Sequence, residues 1–149
     1  MKVAAASINP VDYKIRQGSY PKVTASNLPI TLGRDVCGVV EQAAAGAAYA
    51  RGVKIYAALG WDVGGYAEYA LIAAAFCALQ PASLSAVESA AVPLAGLTAW
   101  QGLFDHGGLT KGQRVLVHAG AGGVGHFAIQ FAKARGAEVM STASALGRS

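Results

Sequence analysis

The apolar pattern of this chain changes character near residue 80. Before that point apolar positions come in short runs broken by glycine and proline. Leu32 to Glu41 reads as a strand interrupted by Gly33 and Gly38, which marks a bulge or a close backbone approach. Val53 to Ala58 and Tyr66 to Ile72 read as further strands, separated by the turn-forming Gly60-Trp-Asp-Val-Gly-Gly65. Phe76 to Leu79 adds a short strand that Pro81 ends. Asn9 to Gly18 combines a proline break, room for one helical turn and a glycine stop, so it reads as an ordered loop. Short strands at this spacing predict a small barrel or sandwich.

After residue 80 the period lengthens. Ser85-Ala-Val-Glu88 has capping-box spacing and opens a short alanine-rich helix. Pro93 suits the start of the next helix, which carries Leu94, Leu97, Leu103 and Phe104 and stops at His106-Gly107-Gly108. Val115, Leu116 and Val117 then form a continuous apolar run, as expected of a parallel strand buried on both faces. Beyond a glycine turn, Val124, Phe127, Ala128, Phe131 and Ala132 fall on one helical face, with His126, Gln130 and Lys133 opposite. Ala137 to Thr142 reads as a second strand. The predicted order is strands, helices, then β-α-β. That places an all-β domain over residues 1–82 and an α/β domain over 83–149, with a cleft between them as the expected ligand site.

The turn itself is Gly120-Ala121-Gly122-Gly123-Val124-Gly125. A GxGxxG pattern is weak alone in a chain with 19 glycines, but here a strand precedes it and a helix and a strand follow. Gly120 is then expected to permit the tight turn, Gly122 to let a pyrophosphate approach the backbone, and Gly125 to bring helix and strand together. The helix N-terminus supplies unpaired N–H groups for phosphate. The same residues satisfy GxxxxG, yet His126 and Phe127 stand where a triphosphate-binding loop needs Lys and Ser/Thr.

Composition narrows the setting. The chain is 54% apolar, ample for a core, though alanine buries little area per residue. The net charge of +4 comes from scattered Lys and Arg, with no basic run interleaved with aromatics, so nucleic-acid binding gains no support. Cys37 and Cys77 have no CxxC partner and read as reduced core residues. No stretch has the length of a membrane span. Asn9, Pro10 and Asp12 cut the N-terminal apolar run too early for a signal peptide. A cytoplasmic protein is expected.

Five ordered stretches carry a family likeness: Ile8-Asn-Pro-Val-Asp12 with Lys14 and Arg16; Pro29 through Gly33, Asp35 and Gly38-Val-Val40; Gly64-Gly-Tyr-Ala-Glu-Tyr69; Pro93 to Trp100; and Gly120 to Gly125. On these the chain resembles the medium-chain dehydrogenase/reductase superfamily, and within it the zinc-free quinone oxidoreductase branch. The resemblance implies α/β plus β architecture: a partial GroES-like β-barrel followed by the first β-α-β unit of a Rossmann fold. It further implies NADPH as cofactor, hydride transfer to a small-molecule quinone or α,β-unsaturated carbonyl, and a homo-oligomer. By the same resemblance Asn9 and Tyr20 lie near the nicotinamide and substrate, and Thr98 contacts the nicotinamide end. Asn9 equally suits an Asx turn before Pro10, and Tyr20 a packed loop aromatic.

Zinc-dependent relatives place cysteine where Asn9 stands, histidine where Arg34 stands and cysteine near Leu94, so no zinc is expected. His106, His118 and His126 form no ligand spacing. The stretch Met140 to Arg148 has no acid to hold ribose hydroxyls, while Ser144 and Arg148 suit a 2′-phosphate, which favours NADPH over NADH. Family members continue on both sides of the matched region. A fragment is therefore expected, with an unpaired sheet edge near Val139 to Thr142 and uncovered apolar helix surface. The alternative function is a catalytically inactive remnant acting as a binding or interaction module.

Overall fold

The computed structural model describes residues 1–144, which fall into two compact units, Met1–Pro93 and the chain from Leu94 onward. Arg148 lies outside the described residues.

The first unit is built on a four-stranded antiparallel sheet in chain order: β1 (Lys2–Ala6), β2 (Asp35–Val39), β3 (Lys54–Ala58) and β4 (Cys77–Leu79). The expected glycine irregularity is present, but the extra residue sits in β1, where the register shifts between Val3 and Ala5 opposite β2. Gly38 is what permits this, since a Cβ there would lie 2.1 Å from the Lys2 carbonyl oxygen. At the turn into β3, the Gly52 N–H bonds the Val40 carbonyl at 2.8 Å with φ +88°, so backbone bonds and a left-handed glycine close a turn that has no capping side chain. Val36, Ala57 and Leu59 form the buried core, with Val3, Val63 and Ile72 against them.

Two expectations change here. Asn9 to Gly18 is more than one turn: α1 spans Pro10–Arg16, started by proline at its first position and by the Asp12 carboxylate accepting from the Asn9 N–H at 2.8 Å. Tyr66 to Ile72 is not a strand. It touches the sheet through a single Lys2–Tyr69 bridge and backbone bonds from Val3 and Ala70. Its two preceding glycines explain this: Gly64 and Gly65 are packed against the Thr31 carbonyl and Val36, which pins the segment at one end.

Helix α2 (Ala86–Ala90) has the predicted cap, with Ser85 Oγ accepting from the Glu88 N–H and Glu88 accepting from the Ser85 N–H. It packs on β1 and β2, which carries the first compact unit on to Pro93.

In the second unit α3 (Pro93–Trp100) runs directly into a π-helical turn, Gln101–His106, before Gly107 and Gly108 end it. Strands β5 (Arg114–Val117) and β6 (Glu138–Ser141) pair in parallel across α4 (Gly123–Ala134), giving the predicted β-α-β unit. One face of the pair holds Val115, Val117 and Val139 against α4 and Ala99. The other face is open: Leu116 and Met140, which are register partners, are each 51% exposed. The apolar run of β5 is therefore buried on one face only. On α4 the buried stripe is Gly125, Ala128 and Ala132, while Val124 faces outward at 41% exposure. Small residues, not the large apolar ones, are the most deeply buried on α4, with Phe127, Ile129 and Phe131 packed around them.

Candidate functional site

Asn9 sits in a polar cluster built where β2 meets the start of α1. Its side-chain N–H groups donate to Asp35 Oδ2 at 2.8 Å and to Ser7 Oγ at 3.0 Å, while the Ser7 hydroxyl donates to the same Asp35 oxygen at 2.7 Å. An ionised carboxylate can only accept, so the amide nitrogen of Asn9 must face Asp35. Asp12 accepts from the Gly33 N–H at 3.0 Å, the Asn9 N–H at 2.8 Å and the Tyr66 hydroxyl at 3.1 Å. Both carboxylates are buried, Asp12 at 2% and Asp35 at 0% exposure. Burial first, then the bond to Asp12 and its charge, push the Tyr66 phenol up to about 12.

The cation that faces these acids is Arg34. It is buried, donates to the Leu59 and Gly60 carbonyls, and has its guanidinium 4.1 Å from the centre of the Trp61 ring. Burial lowers its pKa, and the charges of Asp12 and Asp35 oppose that shift. The other face of this arrangement is aromatic: Tyr20 stacks on Trp61 with ring centres 5.2 Å apart and planes 20° apart. The Tyr20 hydroxyl has no hydrogen-bond partner among the described residues, whereas both amide hydrogens of Asn9 are engaged. A cleft of about 640 Å³ opens beside Trp61, lined also by Lys22, Asn27, Ile30, Val63 and Tyr69. In the sequence Asp12, Asp35 and Tyr66 stand out only as parts of family motifs, and Trp61 only within the turn-forming stretch Gly60 to Gly65. The available signal was that Asp12 and Asp35 are the only acids in the first 40 residues, since buried carboxylates need several donors.

The glycine turn lies in the second unit. Its left-handed residue is Ala119, at φ +56°, so Gly120 is not the one that makes the turn. Gly120 is required by packing: a Cβ there would lie 2.0 Å from Ser141 Oγ and 2.7 Å from Ile129 Cδ1. Gly125 is also required by packing, since a Cβ there would lie 2.3 Å from the Ala119 carbonyl oxygen in the turn. Gly122 and Gly123 differ. A Cβ on Gly123 would meet nothing within 4 Å, and one on Gly122 only the Ala119 oxygen at 3.2 Å. The first intrahelical bond is from the His126 N–H to the Gly122 carbonyl. The N–H groups of Gly123, Val124 and Gly125 thus have no intrahelical acceptor, and no side chain among the described residues caps them. These residues fit an anionic phosphate: open space above the turn, unpaired donors and the positive end of α4.

The remaining predicted positions are more mixed. Ala121 and Ser144 are exposed. Thr98 is exposed and donates its hydroxyl to the Leu94 carbonyl at 2.6 Å, leaving it an acceptor for any ligand. Thr142 Oγ1 receives the Ala119 N–H at 3.3 Å and lies 3.2 Å from His118 Nδ1, and these contacts tie the end of β6 to the turn. Among the described residues no three His, Cys, Asp or Glu side chains gather to hold a metal. Both cysteines are free thiols whose pKa burial raises.

Comparison with known proteins agrees with this geometry. The alcohol dehydrogenase GroES-like domain family matches residues 1–82. The mouse mitochondrial NAD(P)H oxidoreductase RTN4IP1 is 36% identical over 97% of the chain, and the chloroplast envelope quinone oxidoreductase homolog of Arabidopsis thaliana is 38% identical over 97%. The chain spans 41% and 46% of their respective lengths. The solved quinone oxidoreductase of Coxiella burnetii superposes with a TM-score of 0.88 at 42% identity, over 97% of this chain and 47% of that one. These relatives correct the cytoplasmic expectation, since the mouse protein is named as mitochondrial and the Arabidopsis protein for the chloroplast envelope. Unpaired cysteines gave no basis for that choice, because they speak only against a strongly oxidising compartment. The sheet, the β-α-β unit and these matches together show that the chain belongs to the alcohol dehydrogenase GroES-like family, in the quinone oxidoreductase branch of the medium-chain dehydrogenase/reductase superfamily.

Proposed function

We propose that this chain binds NADPH and serves the reduction of a quinone or an α,β-unsaturated carbonyl without zinc. The observation that carries the reading is the turn at Gly120 to Gly125, with its uncapped donors and the open space at Gly122 and Gly123. Gly123, Val124 and Gly125 would donate their N–H groups to the cofactor's pyrophosphate, and Gly120 would hold α4 close enough to aim them. The end of β6 has no acid to repel a 2′-phosphate, and the hydroxyl of Ser144 together with Arg148 would receive it. Thr98 would accept from the nicotinamide end.

The bound nicotinamide supplies the hydride. The chain's own contribution is positioning and charge. The Tyr20 hydroxyl, without a hydrogen-bond partner among the described residues, would donate to the substrate oxygen as negative charge builds there, and Arg34, over the Trp61 ring on which Tyr20 stacks, would add positive charge to that region. Asn9, whose amide hydrogens are engaged, braces α1 and β2 so that this wall keeps its shape. The proton that completes reduction comes from solvent. Asn9 and Arg34 replace the side chains a zinc site would need, which is the basis for the zinc-free assignment.

The test is nucleotide binding by calorimetry and NADPH oxidation with 1,4-naphthoquinone. Tighter binding of NADPH than NADH is expected, and equal binding would remove the 2′-phosphate assignment. A second reading is favoured by the half-exposed Leu116 and Met140: a module that binds through this sheet face, with self-association as its simplest form. Oligomers in size-exclusion chromatography without any quinone turnover would select it.

A further inference from the structure

We propose that Trp61 is a positioning residue for Tyr20, held in place by Arg34. The inference rests on the role given to Tyr20 above. Arg34 donates to the carbonyls of Leu59 and Gly60, the residues immediately before Trp61, so its planar fork fixes the backbone that presents the indole. The same guanidinium lies 4.1 Å from the centre of the indole ring and fixes the side chain as well. Trp61 then stacks on Tyr20 with planes 20° apart. Tyr20 follows the Gly18 turn, at φ +70°, and its hydroxyl has no bond of its own among the described residues. Ring packing is what determines where that hydroxyl points. Trp61 is 45% exposed, more than a side chain kept for core packing needs, and its remaining surface lines the cleft of about 640 Å³. One indole thus joins a buried cation, the Tyr20 phenol and the wall of a cleft.

The experiment compares the chain with its Trp61→Leu and Trp61→Phe variants, without ligand and then in turnover. With ring-labelled tyrosine, the Tyr20 ring protons are expected upfield in the starting protein because they lie over the indole. That displacement should vanish in Trp61→Leu and persist in part in Trp61→Phe. Tyr20 resonances indifferent to both substitutions would overturn the stack, whether or not the chain turns over. In NADPH oxidation with 1,4-naphthoquinone, kcat of Trp61→Leu should fall about tenfold or more, as misplacing a reacting group does. The KM for NADPH should hold, and Trp61→Phe should recover much of the rate. An unchanged kcat in Trp61→Leu would overturn the positioning role. Absence of turnover in the starting protein would instead strike the proposed function, while the ring shifts would still decide the stack. Arg34→Lys, which keeps the charge and loses the fork, should move the Tyr20 resonances in the same direction as Trp61→Leu; unmoved resonances would overturn the part given to Arg34.

Discussion

The Asn9 cluster and the glycine turn handle backbone and side-chain polarity in opposite ways. Around Asn9, donors and acceptors meet inside the chain: Ser7, Asn9, Gly33 and Tyr66 converge on Asp12 and Asp35. At the turn, the first N–H groups of α4 are left open and glycine keeps the space above them clear. Helix α2 makes the contrast sharper, because Ser85 and Glu88 close its N-terminus with the chain's own side chains. Polarity satisfied internally fixes a shape, whereas polarity left unsatisfied at a rigid, open position is available to a ligand.

The largest effect should come from breaking the closed cluster. Asp12→Leu leaves the Gly33 and Asn9 N–H groups and the Tyr66 hydroxyl without their acceptor and should cost about 3 kcal/mol or more, read by urea unfolding. A smaller loss would mean that water enters the cluster and that it is less closed than its burial shows.

Next come the glycines, which should separate packing from binding. Gly125→Ala drives a Cβ to within 2.3 Å of the Ala119 oxygen and should destabilise by about 1–3 kcal/mol. Gly123→Ala meets nothing within 4 Å and should leave stability within about 0.5 kcal/mol. Its NADPH affinity should nonetheless fall, by about tenfold if one phosphate contact is lost. Equal affinity for Gly123→Ala and the starting protein, measured by calorimetry, would break the claim that this space serves a ligand.

Ser85→Ala opens the end that the chain normally closes, and should cost about 1 kcal/mol in thermal or urea unfolding. The bonds from Ser85 hold the Glu88 carboxyl below its ordinary value, so its contribution is present above the ordinary Glu range and is lost as pH falls through the depressed value. A carboxyl titration by NMR that places Glu88 at its ordinary value would remove the capping box.

The smallest effect lies at high pH. Tyr66 is raised to about 12 from 10.0, so it favours the folded state below pH 10 and loses that contribution as pH rises from about 10 to about 12. Tyr66→Phe should remove this slope, seen by comparing unfolding of the two proteins across that window. An unchanged slope would show that burial and Asp12 do not hold the Tyr66 phenol above its ordinary value.

What could be read directly from the sequence was local or periodic. The Ser85-Glu88 cap, the start of α3 at Pro93 and the β-α-β order were legible because each depends on residues a few positions apart. The need for glycine at position 125 was legible for the same reason. Gly120 was not, because its need for glycine comes from Ser141 and Ile129, brought alongside by the fold. Nor could the pattern show that Leu116 and Val124 face outward, since an apolar residue carries no record of which of its neighbours are present.

The amino-acid order alone therefore determined the β-α-β order and the place of the glycine turn, which follow from short-range spacing, and its five ordered motifs carried the family likeness. It pointed wrongly to a loop at Asn9 to Gly18 and to a strand at Tyr66 to Ile72. Tertiary structure decided which polar atoms are already engaged. Asn9, Asp12, Arg34 and Asp35 come from stretches about 20 residues apart, and only their meeting shows that the amide of Asn9 is used internally while the hydroxyl of Tyr20 has no partner among the described residues. Hydrogen bonds saturate, so a residue's chemical availability depends on partners that sequence distance does not reveal.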